Sequence, residues 1–538
     1  MKVFKTIMLY LLLLIGLGIA SVLICCVLMI CSPKTVIFGY KYVSYKDAIE
    51  FTIDSSELSG VSALSITSNR MDIHIIPNSE SNDIEVMYSQ GMSGFVKENA
   101  CDLTVKHEKR DNTFDSGDSL YAQDIVYKTM NIDVTEPEGL VFLSDSNIKV
   151  YVPSHITFTV INASTQNGKI QYSSTAEGKT IRVSNLYLDS QMSGGNAIAI
   201  SKPNASRYHL KTNSGACHLV NDGADISGNI IFATSGGKLV AKDGAIKGDL
   251  TVKSREGVSG ANIDITNLYG DLNFYAKSGN VSIEKITCGP NSTYPIVDIQ
   301  SKYCAFKVDT LVGTITTQGF EGENIDNIDI SINNLTYVTA LARPIDINTK
   351  AGNVSIKNLR GGQANITTST GNIYVEKSFV NMTVETYDGK IDIHFDNTNA
   401  SLLTRLDINV LKKSAITLTG LKGTINITMT EDGDRKISLG FHPSILDGSS
   451  VCEIGIYASG NNVVLEDISS ANFAVYTDGE VKHDVIIADR IMQGDFDYDN
   501  IHSMDNQYRF NYSSNPFRYS KIYVHNNDYG TVTVNSLG

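Results

Sequence analysis

Four short stretches share one pattern, in which a glycine and a polar residue open an alternating apolar–polar–apolar run. They are Ser278-Gly279-Asn280-Val281-Ser282-Ile283, Ala351-Gly352-Asn353-Val354-Ser355-Ile356, Thr370-Gly371-Asn372-Ile373-Tyr374-Val375 and Asp388-Gly389-Lys390-Ile391-Asp392-Ile393. Alternation with a period of two is typical of a β-strand that buries one face. Because self-similarity at a short period indicates a repeat architecture, these stretches predict stacked β-coils and argue against a compact enzyme.

The same pattern recurs along most of the chain at a nearly constant spacing. Gly228, Gly248 and Gly270 open units that are 20 and 22 residues apart, and the period of about 20 persists to Gly460. We interpret the glycines as turn residues, since glycine adopts the positive φ of a tight turn and Asn or Asp tolerates it next best. Antiparallel β-sandwiches are the competing interpretation, but their turns recur every 8–12 residues without a longer period. The predicted fold class is therefore all-β, a β-helix or β-solenoid of about 20-residue coils.

The bulk composition limits the partners of the protein. The chain has 538 residues, a formal net charge of −14, 42% hydrophobic and 19% charged residues. This is too apolar for a disordered chain and is compatible with a large buried core. The acidic balance argues against nucleic acid as a partner, because phosphate neutralisation needs clustered Lys and Arg. It also argues against electrostatic docking on anionic lipid.

The N-terminal segment predicts a membrane anchor. A short basic head (1–6) precedes a span (7–31) whose residues Ile7 to Ile30 carry no charge. Twenty-four helical residues would extend about 36 Å, which is enough to cross a bilayer with some tilt. A cleavable signal peptide is the alternative, with Gly18-Ile19-Ala20 as its cleavage site. Because cleavage there would leave the apolar segment from Val22 to Ile30 as the new N-terminus, we favour an uncleaved anchor.

The charges around this span do not decide its orientation. Lys2 and Lys5 precede it, whereas Lys34, Lys41 and Lys46 follow it closely. The positive-inside count is therefore nearly balanced. The β-repeat character of the rest favours a single-pass protein of the cell membrane with the bulk of the chain outside the cytoplasm.

The hydrophobic pattern divides the chain after the apolar span into three segments. Residues 32–59 are predicted to be a juxtamembrane connector, in which Tyr45 to Ile53 would form a short helix or an edge strand. Residues 60–159 are predicted to be an N-terminal β region that caps the solenoid, and residues 160–538 to be the repeat array. Residues 107–123 (HEKRDNTFDSGDSLYAQ) show no period and are predicted to be a loop.

The cysteines outside the span are predicted to be free and buried. Three of the eight cysteines lie in the span; the other five are Cys101, Cys217, Cys288, Cys304 and Cys452. Each has an apolar residue two positions away, which on a strand shares its face. The odd number and the absence of a Cys-x-x-Cys motif argue against a disulfide framework and against a zinc site.

The motif search assigns no catalytic, cofactor-binding or metal residue. The ten histidines are scattered without a metal-binding spacing, and His394 lies on a strand face. Asp495, Asp497 and Asp499 would share one face of a strand, where they could collect Ca²⁺ or simply protect a sheet edge from aggregation. The glycine pairs Gly194-Gly195, Gly236-Gly237 and Gly361-Gly362 are best explained as corners of the coils.

The repeat resembles the putative adhesin domain family of bacterial surface and membrane proteins. The matching residues are Val150-Tyr151-Val152-Pro153, Asn167-Gly168-Lys169-Ile170 and the glycine stretches around Gly279, Gly371 and Gly389. The resemblance extends over roughly residues 60 to 535 and implies a right-handed β-helix-like fold at the cell surface. It implies little chemistry.

Three functional hypotheses follow from these observations. The first is a non-enzymatic, adhesin-like binding or scaffolding protein of the cell envelope, with a protein or carbohydrate ligand and with homo-oligomerisation as an open alternative. Outward-facing tyrosines such as Tyr275 and Tyr374 would suit such a ligand. The second is a polysaccharide-active β-helix enzyme, and the third is an envelope-stress or assembly component that works through a membrane partner.

Overall fold

The structure is a computed structural model of the chain. It describes residues 2–32, 35–45, 49–78, 81–88, 92–99, 103–114, 125–137, 139–143, 147–176, 178–255, 259–288, 294–322, 326–337, 343–396, 404–412, 414–431, 435–446, 450–466, 473–478, 485–487, 508–511, 520–525 and 532–534. The predictions for Cys101 and for the Asp495, Asp497 and Asp499 cluster lie outside these residues.

The described residues are mostly β-strand, with one long helix at the N-terminus. Helix α1 spans Lys2–Cys31, and its segment Tyr10–Cys31 is long and apolar enough to cross a membrane. Its apolar side chains from Leu11 to Ile30 are largely exposed to the surroundings. A signal sequence near an N-terminus has the same length and composition, so the helix is compatible with both interpretations.

Contacts divide the chain into two units, Met1–Asp222 and Gly223–Gly538. The strands of the first unit are β1 Tyr40–Tyr45, β2 Ile49–Ile53, β3 Ala63–Ser68, β4 Asp72–Asn78, β5 Ile84–Tyr88, β6 Met92–Lys97, β7 Thr104–Thr113, β8 Val126–Thr135, β9 Gly139–Leu143, β10 Asn147–Pro153, β11 Thr157–Thr165, β12 Ile170–Ser173, β13 Thr175–Ala176, β14 Lys179–Thr180, β15 Arg182–Ser190, β16 Asn196–Ser201, β17 Arg207–Thr212 and β18 Ala216–Val220.

Strand pairing in the first unit changes from antiparallel to parallel. Antiparallel pairs join β1 to β6, β6 to β9, β2 to β5, β5 to β10 and β7 to β8. Two parallel ladders then run through β8, β3, β11, β15 and β17, and through β10, β4, β12, β16 and β18. The predicted domain boundaries at residues 32, 60 and 160 remain predictions.

The strand pairs of this unit test two of the sequence predictions. The sequence predicts a loop over residues 107–123, and this is wrong for residues 107–113, because β7 (Thr104–Thr113) pairs with β8 along its whole length. Residues 115–123 lie outside the described residues. The charged side chains of β7 point into solvent, so the strand has no buried face and shows no apolar period. In the connector, the edge-strand alternative is confirmed at Ile49–Ile53, which pairs with β5.

The second unit consists mainly of β-strands. Its elements are β19 Ile226–Ser227, β20 Asn229–Thr234, β21 Lys238–Lys247, β22 Leu250–Ser254, β23 Asn262–Tyr269, β24 Leu272–Tyr275, β25 Ser278–Ile286, β26 Ile296–Ser301, β27 Tyr303–Val312, β28 Thr314–Gly319, β29 Asn327–Thr336, β30 Ile345–Thr349, β31 Val354–Thr368, β32 Ile373–Thr386, β33 Ile391–Phe395, β34 Thr404–Val410, β35 Ile416–Leu421, β36 Gly423–Met429, β37 Lys436–Phe441, α2 Pro443–Leu446, β38 Glu453–Tyr457, β39 Asn462–Glu466, β40 Phe473–Asp478, β41 Val485–Ile487, β42 Tyr508–Asn511, β43 Ser520–His525 and β44 Val532–Val534.

Most strands of this unit pair in parallel with the second strand after them, which produces two ladders. Ladder 1 contains β20, β22, β24, β26, β28, β30, β34, β36, β38 and β43; ladder 2 contains β21, β23, β25, β27, β29, β33, β35, β37 and β39. The long strands β31 and β32 contribute their first halves to ladder 2 and their second halves to ladder 1.

Apolar and polar residues alternate along each strand, and the apolar ones form the core. In β25, Val281 and Ile283 are buried, while Ser282 between them and Glu284 after them face outward. The next strand of the ladder places Phe306 and Val308 directly over the buried pair. Because a single coil cannot cover its own apolar face, each strand is stabilised mainly by its neighbours in the ladder.

Gly352, Gly371 and Gly389, which open strands of ladder 2, are required by close stacking and not by positive φ, whereas Gly228 and Gly248 have φ angles of +116° and +155°. The φ angles of Gly352, Gly371 and Gly389 lie outside the left-handed region. A Cβ on Gly371 would lie 1.8 Å from the backbone oxygen of Gly352, and a Cβ on Gly389 would lie 2.1 Å from that of Gly371. The prediction of a positive φ is thus wrong for these three glycines. It does hold for Gly361 and Gly362, whose φ angles are +77° and +66°.

A buried hydroxyl three residues before the glycine completes this turn. The Oγ1 atoms of Thr349 and Thr368 accept hydrogen bonds from the N–H groups of Gly352 and Gly371, at 3.1 and 2.9 Å. Thr165 and Thr234 make the same bond to Gly168 and Gly237. The motif is therefore Thr-x-x-Gly, a signal that is present in the sequence but that the glycine pattern alone does not include.

Candidate functional site

The polar residue after each glycine holds the next strand of its ladder in place. The Oδ1 atom of Asn353 accepts a hydrogen bond from the N–H of Asn372 at 3.0 Å, and Asn372 does the same for Lys390. In ladder 1, Asp249 accepts from Asp271 at 3.0 Å and Asp271 accepts from Ile296 at 2.8 Å. Because these groups satisfy backbone donors at the strand starts, their first role is structural.

An open groove lies at the strand starts of ladder 2. It has a volume of about 570 Å³, and its lining includes Asn262, Asn280, Tyr303 and Asp329. The carbonyl of Ala261 would lie 1.8 Å from a Cβ on Gly279, so only glycine allows the chains to approach here. Tyr303 is 49% exposed at the edge of the groove.

Cys304 in this groove has the properties of a core thiol and not of a nucleophile. It is 4% exposed, and burial with the nearby Asp329 carboxylate raises the pKa of its thiol to about 12. Burial likewise raises the pKa of Cys217, and it raises that of Cys452 to about 11. The prediction of buried free thiols is confirmed for these three residues. It is wrong for Cys288, which lies beyond the end of β25 and is partly exposed.

We expect alkylation to distinguish the partly exposed Cys288 from the three buried cysteines. In the native protein, iodoacetamide should modify Cys288 and leave Cys217, Cys304 and Cys452 unmodified, because a buried protonated thiol is neither accessible nor nucleophilic. Peptide mass spectrometry after a short native labelling pulse measures this, with the urea-unfolded protein as the control in which all four react. Rapid native labelling of Cys304 would contradict the assignment.

The outward side chains of ladder 1 form an unusually uniform polar surface. Strand register aligns two columns of residues from β24 to β36. The first column is Asn273, Asp298, Thr316, Asp346, Asn365, Thr383, Asp407 and Asn426. The second column has two runs, Tyr275, Gln300 and Gln318, and Asn348, Thr367, Glu385, Asn409 and Thr428, because the pairing of β28 with β30 ends one residue earlier, at Thr317 and Ile347. We call these sixteen residues the amide-rich face.

The amide-rich face contains carboxylates, amides and hydroxyls but no Lys or Arg. Two arginines reach it from its margin: Arg343 lies 3.6 Å from Asp298, and the Nε of Arg405 donates to Asp407 at 3.0 Å. The outward side of ladder 2 carries lysines as well, in ion pairs such as Lys390–Asp392 at 3.2 Å.

Aromatic side chains lie at one end of the amide-rich face. Register continues its two columns into Gly455 and Tyr457 of β38, then into Tyr523 and His525 of β43. Tyr457 is 58% exposed and Tyr523 is 40% exposed. The rings of Tyr457 and His525 lie 5.4 Å apart between centroids. Since Gly455 has no side chain, the surface beside these rings is open.

Three carboxylates approach one another near the other end of this face. Burial raises the pKa of Asp271 above its usual value, and the neighbouring Asp249 and Asp298 carboxylates raise it further. The hydrogen bond from Ile296 and the positive charge of Arg343 oppose this rise. A carboxyl with a raised pKa beside a second carboxylate is the pair that acid–base chemistry on a glycosidic bond requires.

We expect Asp271→Asn to stabilise the protein at neutral pH. A raised pKa means that the folded state holds the proton more tightly than the unfolded state, so the charged carboxylate opposes folding at neutral pH. This penalty disappears as the pH falls through the folded-state pKa. Asn keeps the Oδ1 acceptor for Ile296, as Asn372 does in ladder 2. Urea midpoints at neutral pH and below the ordinary aspartate pKa should show a gain only at neutral pH.

Asp309→Asn is the matched control for this prediction. Hydrogen bonds from Asn333 and Thr310 lower the pKa of Asp309, so its ionised form is the one that the fold stabilises. Neutralising it should give no gain at neutral pH, and a small loss is expected. If both variants shifted the urea midpoint in the same direction, the electrostatic explanation for Asp271 would be wrong.

The structure tests the sequence predictions for three outward-facing residues. Tyr374 faces outward as predicted and is 43% exposed, while Tyr275 is partly exposed on the amide-rich face. His394 lies on a strand face, as predicted, where its Nδ1 is hydrogen-bonded to the Oγ1 of Thr419. Within the described residues no group of three or more His, Cys, Asp or Glu side chains could hold a metal ion.

Comparison with known proteins finds a similarity to a domain of unknown function within the second unit. A family profile described as Toastrack DUF4097 matches residues 240–439, which is 200 of the 538 residues. No curated protein matches the chain. One solved structure, described as "a putative cell adhesion protein from Clostridium sporogenes ATCC 15579", is 14% identical, with a TM-score of 0.20. The match covers 49% of this chain and 100% of that chain. The profile match supports the predicted resemblance to a domain family of unknown function.

Proposed function

We propose that this protein is a membrane-anchored, extracytoplasmic β-solenoid that works by binding or scaffolding and not by catalysis. The parallel ladders support the solenoid, because successive strands alternate between ladder 1 and ladder 2 as the two sides of a coil would. The match of residues 240–439 to the Toastrack domain supports the same architecture. Helix α1 is the proposed anchor.

The amide-rich face is the single observation that carries the binding function. Its sixteen side chains are aligned on eight strands, and few of them are used to hold the fold together. The described hydrogen bonds within it are limited to Asn426 donating to Asp407 at 2.7 Å. A long surface of hydrogen-bonding groups with few internal partners is available to a ligand.

Limited proteolysis of intact cells tests the location. Added protease should remove the region after residue 40 from intact cells and leave a short membrane-bound fragment that contains α1. Cells opened with detergent provide the control for protease activity, and a cytoplasmic protein provides the control for integrity. A chain that resists protease until the cells are opened would contradict the extracytoplasmic placement.

A polysaccharide-active enzyme is the second candidate, and the carboxylates around Asp271 favour it. In that case Asp271 would act as the proton donor and Asp298 as its partner, with Arg343 binding the substrate. Release of new reducing ends from a polysaccharide, lost in Asp271→Asn, would establish the enzyme. Binding that persists in Asp271→Asn without any product would support the non-catalytic proposal.

A further inference from the structure

We propose that the amide-rich face binds an extended, neutral polysaccharide that lies along the stacking direction of ladder 1. This inference rests on the proposed function, since it names the ligand of the same surface. It is argued from the chemistry of the side chains, their spacing, the aromatic end and the charge.

The side-chain chemistry matches a polymer of hydroxyl groups. Amides such as Gln318 and Asn348 both donate and accept hydrogen bonds, and carboxylates such as Asp346 accept them from hydroxyls. All three side chains are exposed. The backbone N–H and C=O groups of the inner strands are already paired within the ladder, so recognition must come from the side chains. Sugars offer hydroxyls in every unit and suit such a surface.

The spacing matches an extended chain of sugars. Neighbouring strands of a ladder are about 4.8 Å apart, which is close to the advance of one hexose unit in an extended β-1,4-linked glycan. The eight aligned strands from β24 to β36 therefore extend over about 34 Å. A glycan of six or more units could contact a pair of polar side chains on each strand.

The aromatic end supplies the apolar contact that sugar rings require. Tyr457 and Tyr523 are exposed on adjacent strands, and Gly455 leaves the surface between them open. Tyrosine rings stack on the apolar faces of sugars while their hydroxyls remain in water.

The charge of the face argues against other polymers. Four carboxylates lie in its two columns, at Asp298, Asp346, Glu385 and Asp407, against the marginal Arg343 and Arg405. An anionic polysaccharide or a nucleic acid would therefore be repelled. A protein partner is disfavoured as well, since a stable protein interface needs an apolar core, which these columns lack.

Isothermal titration of the detergent-solubilised full chain tests this inference. The probes are cello- and chito-oligosaccharides of two to eight units, with polygalacturonate as the anionic control. Affinity for the neutral series should rise with length up to about six units or more, because each strand adds contacts. Polygalacturonate should bind at least about ten-fold more weakly than a neutral oligosaccharide of the same length.

Two double variants locate the binding surface. Asp346→Ala with Asn348→Ala removes two exposed side chains at the centre of the face, and affinity should fall about ten-fold, as for the loss of two ordinary hydrogen bonds. Ser355→Ala with Lys357→Ala removes two outward side chains from ladder 2 and should leave affinity unchanged. Equal binding by both variants would overturn the assignment to this face.

The remaining outcomes separate this inference from the proposed function. If the protein is exposed on intact cells but binds none of the neutral oligosaccharides, the glycan inference fails and surface binding stands. Tighter binding to polygalacturonate would overturn the charge argument. If protease cannot reach the chain on intact cells, the proposed function fails whatever the titration shows.

Discussion

Gly371→Ala is expected to lower the free energy of unfolding by about 3 kcal/mol. The new Cβ would lie 1.8 Å from the carbonyl oxygen and 2.6 Å from the carbonyl carbon of Gly352. Both are backbone atoms within a paired ladder, so the contact cannot be relieved by moving a flexible side chain. The strands on either side must separate, which weakens their hydrogen bonds and opens the apolar core between Ile356 and Val375.

Gly455→Ala is the matched control for this substitution. Its Cβ would meet only the Oδ1 of Asn426, at 3.4 Å, which is an ordinary contact. Alanine also suits a strand at least as well as glycine, so the variant should be as stable as the wild type within about 0.5 kcal/mol. Urea unfolding followed by circular dichroism compares the two. Equal midpoints for Gly371→Ala and Gly455→Ala would show that close stacking does not explain the glycine series.

Glu136→Ala should destabilise the first unit by about 3 to 5 kcal/mol. The Glu136 carboxylate is 5% exposed. It accepts hydrogen bonds from the Ser68 hydroxyl at 2.7 Å and from the N–H groups of Asn69, Arg70 and Met71 at 2.9 to 3.1 Å. Removing it leaves these donors in the interior without their charged acceptor at the turn between β3 and β4.

Two further variants control the Glu136 prediction. Glu98→Ala removes an exposed carboxylate from the same unit and should change stability by no more than about 0.5 kcal/mol. Glu136→Gln keeps one acceptor oxygen but turns an NH₂ group toward the donors, so it should also destabilise. Urea midpoints for all three variants provide the comparison. A Glu136→Ala midpoint equal to that of Glu98→Ala would contradict the role of this carboxylate.

Much of the strand content was predictable because alternation is a local property. The apolar pairs Val281 and Ile283, and Ile391 and Ile393, are predicted by alternation to lie on strands and do so in β25 and β33. Strand β7 is not predicted from the sequence, because both of its faces are polar and only its pairing with β8 identifies it as a strand. Glu136 also escaped, since nothing in the residues around it indicates that its partners lie far earlier in the chain, at the turn between β3 and β4.

The candidate face could not be predicted, because it depends on how the coils align. Thr316 pairs with Asp346, and Asp346 pairs in turn with Asn365, although the first two residues are much farther apart along the chain than the second two. The separation between Asn273 and its partner Asp298 lies between these extremes. The loops between strands absorb these differences, so a constant period places the wrong side chains in one column.

The amino-acid sequence by itself determined that this chain is rich in β-strands, that its glycines recur with the strands, and that an apolar helix lies near its N-terminus. These features follow from period and composition, which act over a few residues. The tertiary structure alone decided why the glycines are needed and which polar residues form a surface. The reason is physical: a Cβ at Gly371 is excluded by the carbonyl of Gly352 at the preceding strand of the ladder, and the amide-rich face exists only through the register of eight paired strands.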